Sequence, residues 1–386
     1  MIGISPFRAV RPHPFYAEQF LFTGIDMSGE HLVDAVVPAL KLLLESGSRR
    51  GDLDADGLDS VYAEIKEVFR DLLANKLLLQ DVEPCMYIYE VWRDGKASTG
   101  VWTLTALDSY REGSVLAHEF TLAEKELRHR EYRQAVGLEG QPVLLAYPPD
   151  GAIGHLIAAV KANGSPDKLS YKGASHLLWR VSDTETLHLL TLLFSEVEHA
   201  FIADGHHRMA AAACTADRYI SSLLMAADQF EVAPFHRMVL PRPALPLEEL
   251  LFCLEKDFVI ELSVDNLPYV PGTPGWIGML AGGRWYRLFA KRQGPGVILL
   301  QQCILAPVFG IVDPMTDGRL HYAGGPGGLD KLVDFCEANT DAVGFTVYPL
   351  TIGEVMESAK RGNRLPPKST WMTPKAPYGL VMALSS

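Results

Sequence analysis

Five consecutive residues concentrate most of the chemistry available to this chain: Asp204-Gly205-His206-His207-Arg208. They follow a short apolar run, Ala200-Phe201-Ile202-Ala203, and open an alanine-rich stretch. A strand that turns on glycine and starts a helix leaves N–H groups without intrahelical partners, and the helix dipole adds partial positive charge there. Together these make an anion site. Gly205 allows close backbone approach, Arg208 can take phosphate oxygens two at a time, and His206 and His207 add hydrogen-bonding or cationic groups. Acidic residues are preferred in a first helical turn, so two histidines and an arginine oppose the dipole, and a bound anion compensates. Asp204 is placed to cap the helix, or to reach a metal ion or a substrate amine. The competing reading is a capped helix with surface histidines. Joint zinc ligation by His206 and His207 is disfavoured, because neighbours on a helix point about 100° apart.

Two further groups carry weight. His118-Glu119-Phe120-Thr121 precedes a charged stretch containing Glu124, Lys125, Glu126, Arg128, His129 and Arg130. Glu119 suits a general base if burial raises its pKa toward neutrality, and if it lies near the Asp204 loop. Otherwise Glu119 and Thr121 belong to a helix start with a solvated, charged face. Lys368, Ser369, Thr370 and Lys375 form a compact polar set fit for a phosphate or a substrate carboxylate. The alternative is a basic tail, but Pro366-Pro367 stiffens the approach and Trp371 and Met372 anchor the exit. Phe235-His236-Arg237 and His321-Tyr322-Ala323-Gly324-Gly325 are weaker signals. Gly324-Gly325-Pro326-Gly327-Gly328 lacks a following Lys-Ser/Thr and is not a P-loop. There is no GxSxG, no HExxH, and no GxGxxG between a strand and a helix.

The elements that must position these residues follow from periodicity. Residues 1–35 read as loop-rich, with helices expected at 36–48 and near Val61–Leu79. Met86–Trp92 and Ser98–Leu107 read as strands joined by an Asp94-Gly95 hairpin turn. A polar helix follows at Thr121–Ala135, then strands at Pro142–Tyr147 and Leu177–Val181 and a helix near Thr184–Glu196. The Ala-rich helix of the central block is expected over His206–Ile220. Pro241–Pro246 and Pro271–Pro274 read as connections, and Leu365–Lys375 is too proline-rich for a helix.

Composition bounds the function. With 386 residues the chain suits two to three structural units. A net charge of −12 argues against a general nucleic-acid or anionic-membrane surface, leaving room only for a local cationic pocket. No apolar run approaches a membrane span and the start lacks a signal-peptide layout, so the expectation is a cytoplasmic protein. The five cysteines, Cys85, Cys214, Cys253, Cys303 and Cys336, are odd in number and far apart, which argues against a disulfide framework or structural zinc.

The blocks His118-Glu119-x-Thr121, Phe201 through Arg208, and Pro366-Pro367-Lys368-Ser369-Thr370 with Pro374-Lys375, in this order, resemble the family of domain of unknown function 1015. That family usually carries a Pro-Tyr-Asp-Val element near its start, which is absent before residue 60. The Asp-Gly-His-His-Arg block is also similar to the phosphate-binding motif of the ParB/sulfiredoxin superfamily, where a strand–turn–helix holds nucleotide phosphates and some members are kinases of free serine. The family's genes often stand beside genes of serine biosynthesis, which favours the same chemistry.

These resemblances imply an α/β or α+β fold with mixed sheets, outer helices and a ParB/sulfiredoxin-like phosphate site. The expected parts are a 1–80 helical and loop region, an 81–240 central domain carrying Asp204–Arg208, and a 241–386 region completing the site with Lys368. The expected function is a nucleotide-dependent kinase of a free hydroxyl metabolite, L-serine first. Gly205, His206, His207 and Arg208 would bind the phosphates of ATP or ADP, and Asp204 would help place Mg²⁺. Glu119 would accept the hydroxyl proton, with His207 and Asp204 as further catalytic groups. His118, Thr121, Arg237, Lys368, Ser369 and Thr370 would contact substrate or phosphate. The partners are then a small molecule and a nucleotide, with no nucleic acid and no membrane, and a homodimer is open to it. Two other functions compete: a non-catalytic nucleotide switch, and a phosphoester hydrolase in which His207 activates water.

Overall fold

The computed structural model describes residues 1–21 and 55–385. The helix expected at residues 36–48 lies outside the described residues. The fold is mixed α/β, and the chain forms two compact units. The first comprises Met1–Ala117, Thr121–Phe230 and Pro374–Ser386; the second comprises His118–Phe120 and Glu231–Thr373.

The first unit is built on a nine-stranded mixed sheet. In chain order its strands are β1 (Ile4–Ser5), β2 (Met86–Arg93), β3 (Lys96–Ala106), β4 (Val115–Leu116), β5 (Val143–Tyr147), β6 (Asp167–Tyr171), β7 (Ala174–Val181), β8 (Ala200–Asp204) and β9 (Tyr219–Ala226). The spatial order is β4-β8-β5-β9-β3-β2-β7-β6, with β1 against β3. The β2–β3 hairpin turns at Asp94 and Gly95, both at positive φ (51° and 76°), as the Asp-Gly pair predicts. Its longer helices are α1 (Ala55–Ala74), α2 (Ala123–Val136), α3 (Gly151–Asn163), α4 (Thr184–Ser195) and α5 (His206–Ala213). Ile88, Val101, Leu145, Phe194, Ile202, Met209 and Leu224 are buried together, so β8 and α5 are held by the main core of this unit.

Several expectations are corrected. The Ala-rich helix ends at Ala213, not Ile220, and Tyr219–Ala226 is strand β9. Thr215 Oγ1 donates to the Ala212 carbonyl, and Arg111 donates to the Ala213 and Thr215 carbonyls, which closes the helix end. The run beyond is half β-branched or aromatic at its start and pairs with β3 and β5 on either side. The early helix runs from Ala55 to Ala74, and Leu78–Gln80 is a strand paired with Val10–Pro12.

The second unit carries a six-stranded, wholly antiparallel sheet of β10 (Phe235–Val239), β11 (Phe258–Leu262), β12 (Trp276–Ala281), β13 (Arg284–Ala290), β14 (Leu320–Gly324) and β15 (Val343–Val347). Their spatial order is β11-β13-β12-β15-β10-β14. Helix α6 (Gly328–Ala338) buries Leu332 with Met238, Leu280, Trp285 and Ala323. Among the described residues, no helix is long and apolar enough to cross a membrane.

The last residues return to the first unit and brace its site. Ala383 and Leu384 pair with Glu139 and Leu138, and the Gly379 N–H donates to the Gly140 carbonyl at 2.8 Å. The Tyr378 ring stands over Gly140, so that a Cβ there would fall 1.9 Å from Tyr378 Cζ. Gly140→Ala must therefore displace the ring, at a cost of about 1–3 kcal/mol. Thermal unfolding of the variant should show a melting temperature several degrees below the wild type; an unchanged value would mean that the ring does not hold this segment.

Candidate functional site

The candidate site of the first unit starts where β8 leaves the sheet. β8 pairs with β4 in parallel and β5 in antiparallel register, with a register shift between Ile202 and Asp204 after which Asp204 still pairs with Leu144. Gly205 follows at φ 98°, ψ 27°, a left-handed conformation that glycine adopts without steric cost. It is the N-cap of α5 and contributes no side-chain cap; the first intrahelical bond runs from the Met209 N–H to the Gly205 carbonyl. The first turn contains no acidic residue.

Arg208 folds back across this turn. A Cβ on Gly205 would lie 2.9 Å from its Nη2 and 3.1 Å from its Cζ. Its Nη1 donates to the carbonyls of Gln141 (2.7 Å) and Pro142 (2.8 Å), and its Nη2 to Asp204 Oδ2 (2.8 Å). The other Asp204 oxygen, Oδ1, accepts from Lys375 Nζ at 2.5 Å. Asp204 thus sits between two cations, one from α5 and one from the returning C-terminal segment. His206 is buried under the helix start. His207 Nε2 accepts the Leu122 N–H at 3.1 Å, which makes Nδ1 the protonated nitrogen of the neutral ring and ties α5 to the beginning of α2. His129, on α2, is held well below the ordinary histidine range by desolvation first, and then by Arg208, His207 and Lys125. Thr121 is joined to Glu126 by its hydroxyl.

The second unit gathers a different set. His118 is fully buried, and its Nε2 lies 3.3 Å from Thr370 Oγ1. Its carbonyl accepts the Leu365 N–H at 2.8 Å, so Glu119 runs alongside Leu365 in a parallel bridge. Glu119 is therefore not part of a helix start, since α2 begins at Ala123. Glu119 Oε1 accepts the Ser369 N–H at 3.4 Å. Ser369 Oγ donates to the Pro366 carbonyl, and Lys368, held at φ 56°, has Nζ 5.6 Å from the Phe235 ring centre. A non-glycine residue in this conformation stores backbone strain, which persists where surroundings fix it. Arg237 is 2% exposed, donates to the Phe235 and Pro367 carbonyls, and lies over the Tyr322 ring. Burial lowers its pKa to about 10, against the opposing influence of Tyr322 and Glu119.

His118, Glu119, Arg237, Lys368, Ser369 and Thr370 are thus brought together in one unit, and Asp204 to Arg208 with Thr121 belong to the other. Lys375, read from the sequence as one polar set with Lys368, Ser369 and Thr370, belongs instead to the first unit and joins Asp204. Among the described residues, no group of three or more His, Cys, Asp or Glu side chains is gathered as a metal site.

The chain belongs to the family described as "Protein of unknown function (DUF1015)", which matches residues 4–309. The match ends before the Leu365–Lys375 segment. The chain is similar to the solved structure of a free serine kinase in complex with AMP, at 17% identity and a TM-score of 0.43, over 74% of this chain and 91% of that one. It is similar to a conserved hypothetical protein from Pyrococcus furiosus at 16% identity and a TM-score of 0.40, over 72% and 93%. A third similarity is to SbnI with C-terminal truncation from Staphylococcus aureus, at 11% identity and a TM-score of 0.41, over 70% and 82%. No curated protein matches the chain.

Two outcomes follow from this geometry. Gly205→Ala places a methyl against the Arg208 guanidinium at a positive φ, so it should cost on the order of 1–3 kcal/mol of stability. Chemical denaturation measures it, and a wild-type midpoint would show that the turn tolerates a side chain. His236, beside Arg237, is buried with Nδ1 lacking a hydrogen bond, and burial and then Arg237 lower its pKa to about 4. The unfolded chain then binds a proton that the folded one refuses between about pH 6.5 and 4, so stability falls as pH falls through that window, by up to about 3 kcal/mol. His236→Asn should flatten this part of the profile of unfolding free energy against pH; an unchanged slope would remove His236 as its source.

Proposed function

We propose that the protein is a nucleotide-dependent kinase of a small hydroxyl metabolite, with free L-serine as the substrate. The observation that carries this reading is the start of α5: a helix headed by left-handed Gly205, without a side-chain cap or an acidic residue in its first turn, and flanked by Arg208 and Lys375. Backbone amides and the dipole at such a start favour a phosphate-bearing ligand. Gly205, His206, His207 and Arg208 hold the phosphates of ATP or ADP. His207 contributes its Nδ1 proton, and Asp204 helps to place the Mg²⁺ that neutralises phosphate charge when bound.

In the second unit, Glu119 accepts the proton of the attacking hydroxyl, and Arg237 and Lys368 supply the positive charge for the substrate carboxylate. His118, Thr370 and Ser369 fix the Glu119 segment through the contacts described above. Thr121 orders the approach to α2. Phosphoryl transfer asks the protein chiefly for positioning and charge neutralisation, which a cationic phosphate site and a carboxylate base supply. Choosing serine rather than another hydroxyl metabolite follows the resemblance of the Asp-Gly-His-His-Arg block to free-serine kinases.

Incubating the purified protein with L-serine, Mg²⁺ and either ATP or ADP should yield phosphoserine, read by mass spectrometry. Glu119→Gln should lower the rate by roughly 10²- to 10⁴-fold while leaving nucleotide binding intact. Absence of phosphoserine with both nucleotides would discard the serine assignment. Nucleotide-stabilised melting without product would favour a switch, and release of inorganic phosphate from phosphoserine a hydrolase.

A further inference from the structure

We infer that Lys375 is a phosphate-binding residue of the nucleotide site, stored on Asp204 until the phosphate arrives and then transferred to it. This rests on the reading of the α5 start as a nucleotide phosphate site, and adds a residue and a device to it.

The two cations at Asp204 are held in different ways. Arg208 spends its guanidinium on the Gln141 and Pro142 carbonyls as well as on Asp204 Oδ2. Fixed on two neutral backbone acceptors, this planar fork meets a phosphate from the place it already holds, because moving it would strand both carbonyls. Lys375 meets Asp204 Oδ1 through Nζ, a compact ammonium with three rotatable donors on a flexible stem. Its side chain is 34% exposed and that of Asp204 27%, so both border solvent where a ligand can reach them.

The backbone that carries Lys375 is nonetheless fixed. Gln141 Nε2 donates to the Ala376 carbonyl, Gly379 bonds Gly140, and Tyr378 stands over Gly140. The anchor for Lys375 and the acceptors for Arg208 thus lie on the same stretch, Gly140 to Pro142. A held backbone with a pivoting ammonium is the arrangement of a residue that changes partner without refolding. A terminal phosphate at the helix start offers more negative charge than one carboxylate and takes the ammonium from it. Asp204 meanwhile keeps the ammonium in place and compensated in the absence of ligand, and its own negative charge opposes an arriving phosphate.

The test uses the full chain, with ADP, AMP and adenosine as probes in isothermal titration, without Mg²⁺ and with a chelator present. Lys375→Met should weaken ADP on the order of tenfold or more, weaken AMP less, and leave adenosine unchanged, as loss of a charge-assisted contact predicts. Lys375→Arg should recover part of the ADP affinity. Asp204→Asn should tighten Mg²⁺-free ADP, since it removes both the competing acceptor and a repelling charge. ADP affinity unchanged in Lys375→Met would overturn the inference while leaving the nucleotide site standing. Equal losses for ADP and adenosine, with a lowered melting temperature, would make Lys375 a structural strap and overturn it as well. Wild-type protein that binds neither ADP nor AMP would remove the nucleotide reading itself.

Discussion

The candidate site depends on one backbone conformation, the left-handed turn at Gly205. It ends β8 and starts α5 within a single residue, and it leaves room for the Arg208 guanidinium to lie against the glycine. From that position Arg208 reaches the Gln141 and Pro142 carbonyls next to β5 and the Asp204 carboxylate at the end of β8. The turn, the strand end and the helix start thereby become one rigid piece. A helix opening with two histidines and an arginine runs against its own dipole. The chain answers this in part with Asp204, whose charge is then itself balanced by Lys375.

The charge distribution is consistent with a local function in an acidic chain. A net charge of −12 gives no general attraction for polyanions, yet Arg208, Lys375 and Lys125 gather near the α5 start or in the field of His129 beside it. In the second unit, Arg237 is a buried guanidinium whose direct partners are carbonyls and an aromatic ring, with Glu119 acting on it through space. Each unit therefore holds a cationic residue in an environment built by its own strands and loops.

What the sequence made legible was local. Strand, glycine turn and helix occupy residues 200 to 213, so periodicity and residue type were enough to place them. The Asp94-Gly95 hairpin was readable for the same reason. The end of α5 was not, because four alanines carry no stop signal and the helix is closed by Arg111, a residue about a hundred positions away. Lys375 was visible as a polar residue but not as a partner of Asp204, from which 171 positions separate it. Glu119 looked like the start of a charged helix, and only its pairing with Leu365 and Ser369 takes it out of that helix. Local signals fix elements, whereas contacts between distant segments depend on the packing that brings them together.

The central claim is that the start of α5 receives phosphate. It is tested most directly by following the backbone amide resonances of Gly205, His206, His207 and Arg208 by NMR while ADP is added. The account predicts saturable shifts at these four amides with ADP, and none of comparable size with adenosine. Saturable binding of ADP that moves other amides and leaves these four in place would contradict it.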